Sequence, residues 1–329
     1  MSDLTRLIPL LAHHVIMVVG DVILDEYVIG TAQRMSREAP IPVLELLEKR
    51  FIPGGASNPS VNIMALGSEA WQVGVVGKDS TAEELLRVLK THGIRTEGLL
   101  GCDDRPTTLK TRIMAQMGLH FPQQVARIDT LSRHPITPVT EAQILEHIVQ
   151  NLPKVGALLL SDYHGGLLTP SLVRAIQIKA QGKLLSADAQ GNLDKYRGFD
   201  VVKCNADDAQ RYLEQTLTTH QDFAHAANAL CQALDLRGAM VITRGAEGAT
   251  LATSDGESVH CPSPNISNVY DTVGAGDTAI AVITLARLGG ASWQEAVILA
   301  NYASGIVVQY VGNHAPTPQE LHQAIQDAP

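Results

Sequence analysis

Asp271-Thr272-Val273-Gly274-Ala275-Gly276-Asp277-Thr278, followed by the apolar run Ala279–Leu288, is the stretch from which the rest of the chain is read. Two glycines flank an alanine, so the backbone can approach a ligand closely and take φ values barred to larger residues. The run behind them keeps a helical pattern without proline, which predicts the glycines at a helix N-terminus. Free N–H groups and the positive end of the macrodipole make such a terminus an anion site. Asp277, in the first turn, would set a carboxylate beside that anion, where a base can take the proton of a hydroxyl. An anion cradle with an adjacent acidic base is the minimum apparatus for phosphoryl transfer to an alcohol. The same residues also read as a Gly-rich turn with Asp277 as a helix-start acid that the dipole alone favours. These eight positions do not separate the two readings.

Composition narrows the class. The chain has 329 residues, 45% of them apolar, enough for one large α/β core with an appendage. A formal net charge of −9 gives no electrostatic footprint for nucleic acid or an anionic membrane. No apolar run approaches the length of a membrane span. Met1-Ser2-Asp3-Leu4-Thr5-Arg6 lacks the layout of a signal peptide. Cys102, Cys204, Cys231 and Cys261 are widely spaced without a Cys-x-x-Cys pair, so a reduced, cytoplasmic protein is expected. The histidines show no metal-ligand spacing, and there is no Gly-x-x-x-x-Gly-Lys loop.

Working back from the decisive stretch, short β-branched runs end in acidic residues. His14–Gly20 reads as a buried strand, with Asp21 and Asp25 after it. Two carboxylates four apart suit hydrogen bonds from sugar hydroxyls, or serve as turn acids. Pro53-Gly54-Gly55-Ala56-Ser57-Asn58 precedes a helical pattern, and Asn58 offers both a donor and acceptors. Further strands are read at Trp71–Gly77, Ala157–Leu160, Lys183–Ala187, Asp200–Cys204 and Met240–Thr243, with Asp162 and Asp188 following the second and third. Helices are read at Thr81–His92 and Trp293–Val308. Between Thr96 and Asp129 the pattern alternates instead, as in Thr107–Ile113, which marks a half-exposed strand. With Tyr27–Leu47 this region is expected to build a small sheet. Lys110 and Arg112 share one strand face by the period of two, a pair that suits a phosphate or simply faces solvent.

Several runs together resemble a known family. Asp271–Thr278 looks like the C-terminal signature of the ribokinase-like (PfkB) carbohydrate kinases, and Pro53–Asn58 like their N-terminal signature. Gly20–Tyr27, Arg34–Val43 and Arg127-Ile128-Asp129 are similar to the heptose 7-phosphate kinase branch, and Ser161–Gly166 to its Ser-Asp-Tyr-x-x-Gly. Asn205-Ala206-Asp207-Asp208 stands where the family has Asn-x-x-Glu, and Thr243–Gly248 resembles its nucleotide turn. The resemblance covers about Val18 to Thr317.

It implies a doubly wound, mostly parallel α/β sheet, one domain over residues 1–329, with a β lid from about 27–47 and 96–129. Asp277 would be the base, and Gly274, Ala275 and Gly276 the anion hole. Asp21, Asp25, Arg34, Gly54, Gly55, Asn58, Lys110, Arg112 and Asp162 would face the sugar. Asn205, Thr243, Gly245, Gly248 and Asn301 would face the nucleotide, and Asp208 would reach Mg2+ through water. MgATP would be the donor, a sugar or sugar phosphate the acceptor, and a monovalent cation such as K+ a further ligand. A homodimer through the lid is the expected assembly.

Two departures stand out. Asp188-Ala189-Gln190 replaces the usual Asp-Pro-Lys, and Asp208 is one methylene shorter than the family's Glu. A relative acting on another sugar or a nucleoside, or a non-catalytic binding descendant, are the rival readings.

Overall fold

The computed structural model describes residues 4–116, 122–266 and 269–327. A 3-10 turn at Leu4–Leu11 leads into β1 (Val15–Gly20), β2 (Val22–Met35), β3 (Pro42–Gly55), α1 (Ser57–Ala65), β4 (Glu69–Gly77), α2 (Ser80–Thr91) and β5 (Arg95–Cys102). Then follow β6 (Thr108–Gln116), β7 (Gln123–Thr130), α3 (Pro138–Asn151), β8 (Ala157–Asp162), α4 (Pro170–Lys179) and β9 (Leu184–Ala189). The chain closes with β10 (Val201–Asn205), α5 (Ala206–Leu213), α6 (His220–Ala233), β11 (Ala239–Thr243), β12 (Ala249–Thr253), β13 (Ser258–Cys261), α7 (Ala275–Leu288), α8 (Trp293–Val307) and α9 (Pro318–Gln326).

Nine strands form one sheet in the order β13-β12-β11-β10-β9-β8-β1-β4-β5. It is parallel from β5 to β11, and β12 and β13 are added antiparallel at the edge. Apolar residues fill both faces, as a parallel sheet covered by helices requires. β1 illustrates it: Ile16 and Val18 pack into the core with α7 and α8, while Met17 and Val19 pack into the core with α3, α4 and α6. Successive side chains of a strand point to opposite faces, so one apolar strand serves two cores. Chain order reverses at β1, between β4 and β8. Ligands of such sheets lie outside the strand C-termini at this reversal. Asp21 directly follows β1 and Asp162 ends β8.

A second sheet, β3-β2-β6-β7, forms the lid, with β2 and β6 parallel and the outer pairs antiparallel. Its roots are buried at Val22–Tyr27 and Pro53–Gly55, and its tip is exposed at Gln33–Met35. The lid bounds expected from sequence need correction. Residues 95–102 form the edge strand of the main sheet, paired with β4. They complete a β4-α2-β5 crossover, which returns to the same parallel sheet. The lid strands instead reach back to Val22 and on to Gly55. Residues 117–121 of the expected lid lie outside the described residues.

Candidate active site

The N-terminus of α7 is built by its glycines. Gly274 caps the helix in the left-handed region, φ 84°. A Cβ there would meet Asn58 Nδ2 at 2.7 Å and Asn313 Oδ1 at 2.8 Å. Glycine is therefore required twice over, for conformation and for space. The N–H groups of Ala275, Gly276 and Asp277 open the helix and have no intrahelical acceptor; that of Ala275 reaches the Thr272 carbonyl at 3.5 Å, and those of Gly276 and Asp277 are left for an anion.

Asp277 stands in this first turn, 5% exposed. Its Oδ1 accepts from Tyr163 Oη at 2.7 Å and its Oδ2 from Asn58 Nδ2 at 2.9 Å. Burial, then the nearby Asp188, push its pKa up to about 7, against the pull of Asn58, Tyr163 and Lys203. A carboxylate near 7 is poised to exchange a proton at neutral pH. Burial and Asp277 raise the Tyr163 phenol well above its ordinary range, so it stays a donor.

Lys203 completes this end of the site, and the sequence reading passed over it. It pairs with Asp188 (Nζ–Oδ1 2.6 Å), and both side chains are buried. Its Nζ lies 3.1 Å from where a Cβ on Gly276 would sit, so the glycine makes room for the ammonium. The signal was present: a lysine inside the otherwise apolar Val201-Val202-Lys203-Cys204 needs a buried partner. Burial raises the Asp188 carboxyl while Lys203 pulls it down, and Asp208 adds to the negative field.

On the acceptor side, a cavity of about 180 Å³ is lined by Asp21, Ile23, Thr108, Lys110, Arg127, Asp129, Ser132, Arg133, Tyr163, His164, Gly165 and Gln190. Three cations therefore border it, but they are Lys110, Arg127 and Arg133. Of Arg34, Lys110 and Arg112, all expected to face the sugar, Lys110 lines this cavity and the other two do not. Arg34 is exposed at the lid tip, nine residues from Asp25 along β2, or ~30 Å of strand. Arg112 is buried, ion-paired with Asp25 and stacked over the Tyr27 ring at 5.3 Å. A buried guanidinium needs such a partner, and Asp25 supplies it. Gly54 lies against the Asp25 carboxyl, and Gly55 pairs with Val22 at the lid root.

Asp21 lines the cavity, yet its carboxylate accepts from the N–H groups of Tyr163 (2.9 Å), Gly165 (2.9 Å) and Leu167 (3.3 Å). It anchors the loop that carries Tyr163 and keeps one lone pair of four. Burial, then Asp162, raise its pKa against those three donors. Asp162 is held by the fold: its carboxylate accepts from Lys195, from Tyr196 Oη at 2.7 Å and from His164 N–H at 3.0 Å.

On the opposite side, a cavity of about 370 Å³ is lined by residues that include Asn205, Asp207, Phe223, Thr243, Arg244, Gly245 and Glu247. Asn205 Oδ1 caps α5 at Asp208 N–H, 2.8 Å, which turns buried Asp208 toward Asp188 and leaves Asp207 exposed. Asp208 also pairs with Arg211 at 2.7 Å. Two residues expected to face the nucleotide also make hydrogen bonds within the fold. Asn301 Nδ2 donates to the carbonyls of Cys261 (2.8 Å) and Pro262 (3.2 Å), pinning the end of β13 to α8. Gly248 closes the turn after β11, where its carbonyl accepts from Arg244 N–H at 2.8 Å. Among the described residues no cluster of three or more His, Cys, Asp or Glu could hold a metal by itself.

The arrangement is a line. The small cavity touches Tyr163, Tyr163 touches Asp277, the α7 terminus and Lys203 link Asp277 to Asp188, and Asn205, which lines the larger cavity, caps the helix that carries Asp208.

A family model for pfkB family carbohydrate kinases matches residues 14–320. The bifunctional protein HldE of Paramagnetospirillum magneticum is 36% identical over 328 residues, 99% of this chain and 66% of that protein. HldE of Geobacter sulfurreducens is 34% identical over 308 residues, 93% of this chain and 61% of that protein. The chain thus spans just under two thirds of these relatives. Among solved structures, Arabidopsis thaliana ribokinase complexed with ribose and ATP superposes with TM-score 0.73, at 18% identity, over 96% of this chain and all of that one. Phosphofructokinase-2 from Escherichia coli in complex with substrates and products gives 0.76 at 19% identity, over 96% and 99%. At these identities the two structures are alike in fold.

Proposed function

Since the chain belongs to the pfkB family of carbohydrate kinases, we propose that it moves the terminal phosphoryl group of ATP to a hydroxyl of a sugar phosphate, of the heptose 7-phosphate kind. One observation carries the reading: Asp277, its pKa near 7, stands at the open terminus of α7 and accepts from Tyr163, which lines a cation-bordered cavity. Asp277 takes the hydroxyl proton. The freed oxygen bonds to the terminal phosphorus as the bond to ADP breaks. The N–H groups of Gly276 and Asp277, with the Lys203 ammonium, face the charge that builds on the phosphoryl oxygens. Lys110, Arg127 and Arg133 take the phosphate already on the acceptor.

Asn205, Asp188 and Asp208 are hard oxygen donors on the nucleotide side, a set that fits Mg2+ held largely through water. The ion, when bound, neutralises charge on the nucleotide phosphates. A monovalent cation such as K+ belongs to the same reading, and replacing K+ by Na+ in the assay tests it.

Gln190 borders the acceptor cavity where related kinases carry lysine, which favours a second reading with a hexose phosphate or another sugar as acceptor. We also propose a homodimer through the lid. Met35, Ile41, Leu46, Leu47, Val125 and Ile128 are all exposed there, an apolar surface on the lid. Its proposed location is the cytoplasm, which suits four free, buried cysteines. No helix among the described residues is long and apolar enough to cross a membrane.

The test is ADP release with MgATP against heptose 7-phosphate, hexose phosphates, free sugars and nucleosides. Preference for the phosphorylated sugars supports the reading. Equal or better use of free sugars or nucleosides overturns it.

A further inference from the structure

The two oxygens of Asp277 are held in different ways. Asn58 Nδ2 serves Oδ2, and Asn58 is itself fixed from α1, where Asn62 Nδ2 donates to its carbonyl at 2.9 Å. Asn62 Oδ1 in turn accepts from Thr278 Oγ1 at 2.9 Å, so this side belongs to the rigid α1–α7 contact. Oδ1 is served instead by Tyr163, a half-buried side chain on the loop after β8 that also lines the acceptor cavity. Lys110 sits over the Tyr163 ring, its Nζ 5.3 Å from the centroid.

A phenol is an O–H donor of the same kind as a sugar hydroxyl. Its bond to Oδ1 is the bond that an acceptor must make before it surrenders its proton. An unoccupied carboxylate at an anion cradle would take that bond from water instead. Water so activated would bond through its oxygen to the terminal phosphorus of ATP. The phosphorus–oxygen bond to ADP would break with its electron pair, and the water proton would pass to Asp277, leaving ADP and phosphate.

We propose that Tyr163 is a positioning residue that stands in for the acceptor hydroxyl at Asp277 Oδ1, keeping water off the base until a sugar phosphate enters and draws Lys110 from the ring. This rests on the reading of Asp277 as the base of a sugar kinase.

Tyr163→Phe tests it, because the ring and its contact with Lys110 remain while the hydroxyl is lost. Sugar-independent ATP hydrolysis should rise about tenfold, part of the factor a positioned base provides. With sugar present, ADP formed should exceed sugar phosphate formed. The acid limb of kcat/KM, which reports the free enzyme, should move to higher pH, since the ionised carboxylate loses a donor. The charges around Asp277, Asp188 on β9 and Lys203 on β10, are unchanged by the variant. Site-specific difluorotyrosine at 163, a stronger donor of nearly the same shape, should move that limb to lower pH and serves if the Phe variant does not fold. Hydrolysis at the wild-type rate, one-to-one coupling and an unmoved limb overturn the proposal.

Asp277→Asn run in parallel separates the two ideas. If it loses transfer while Tyr163→Phe behaves as wild type, only the role of Tyr163 fails. If it still transfers phosphate, the base reading fails and the role of Tyr163 with it.

Discussion

Lys203 and Asp188 face each other across the parallel β9–β10 ladder, with Nζ 2.6 Å from Oδ1 and the ammonium beside Gly276 at the mouth of α7. A buried pair of this kind does little for net stability, but its separation leaves one charge stranded.

Lys203→Met should therefore lower the unfolding free energy by about 3 kcal/mol. The double variant Lys203→Met/Asp188→Asn should regain most of that loss, because no unpaired charge remains. Turnover should stay low in both if the ammonium faces the transferring phosphoryl group. Urea unfolding and ADP release on the same preparations check the two halves. Full turnover in the double variant would remove Lys203 from the chemistry.

The pH profile follows from Asp277. Its pKa near 7 makes the ionised base half populated at neutral pH, so kcat/KM should rise through pH 7 and be roughly tenfold below its plateau at pH 6. Stability carries the opposite sign. The unfolded carboxyl gives up its proton near 3.8, whereas the folded one keeps it to about 7. The folded state thus binds more protons in that window, and this group's contribution to stability falls as pH rises from about 4 to 7. In Asp277→Asn that part of the slope should vanish, as urea titrations at several pH values would reveal. An unaltered slope would place the shifted group elsewhere.

The cations divide between cavity and lid tip. Lys110→Ala should raise KM for a phosphorylated acceptor by about one to two orders of magnitude, from a charge-assisted contact of ~1.5–3 kcal/mol. Its effect on a free sugar should be small. Arg34→Ala should leave KM for both unchanged in the monomer, since Arg34 is exposed at the far end of β2. The check is the ratio of the two KM values in each variant. A selective loss with Arg34→Ala would mean that the lid tip reaches an acceptor, as a partner's lid could.

Much of this was legible before any coordinates. The glycine run before an apolar helix announced the α7 terminus, and the short apolar strands ending in acids announced the parallel sheet. Asn58, noted for its donor and acceptors, bonds Asp277. Partners distant in sequence were not legible. Asp162 ends its strand and Arg112 lies within one, each carrying a charge a polar ligand could use, but nothing in the spacing showed that Lys195 and Asp25 pair with them. Period-two spacing put Lys110 and Arg112 on one face and could not say that the second was buried in an ion pair. Tyr163 stood inside a quoted motif without a role, because its bond to Asp277 joins residues 114 positions apart. Arg127 and Arg133 became cavity residues only through the antiparallel return of β7 onto β6.

The central claim is that Asp277 removes the acceptor proton. The most direct measurement is ADP release and sugar phosphate formation by Asp277→Asn, alongside calorimetric MgATP binding. Asparagine keeps the shape and the contact with Asn58 but cannot accept a proton. The account predicts MgATP affinity near that of the wild type and turnover lower by ~10²–10⁴. Turnover within a few fold of the wild type, with MgATP bound normally, would contradict it.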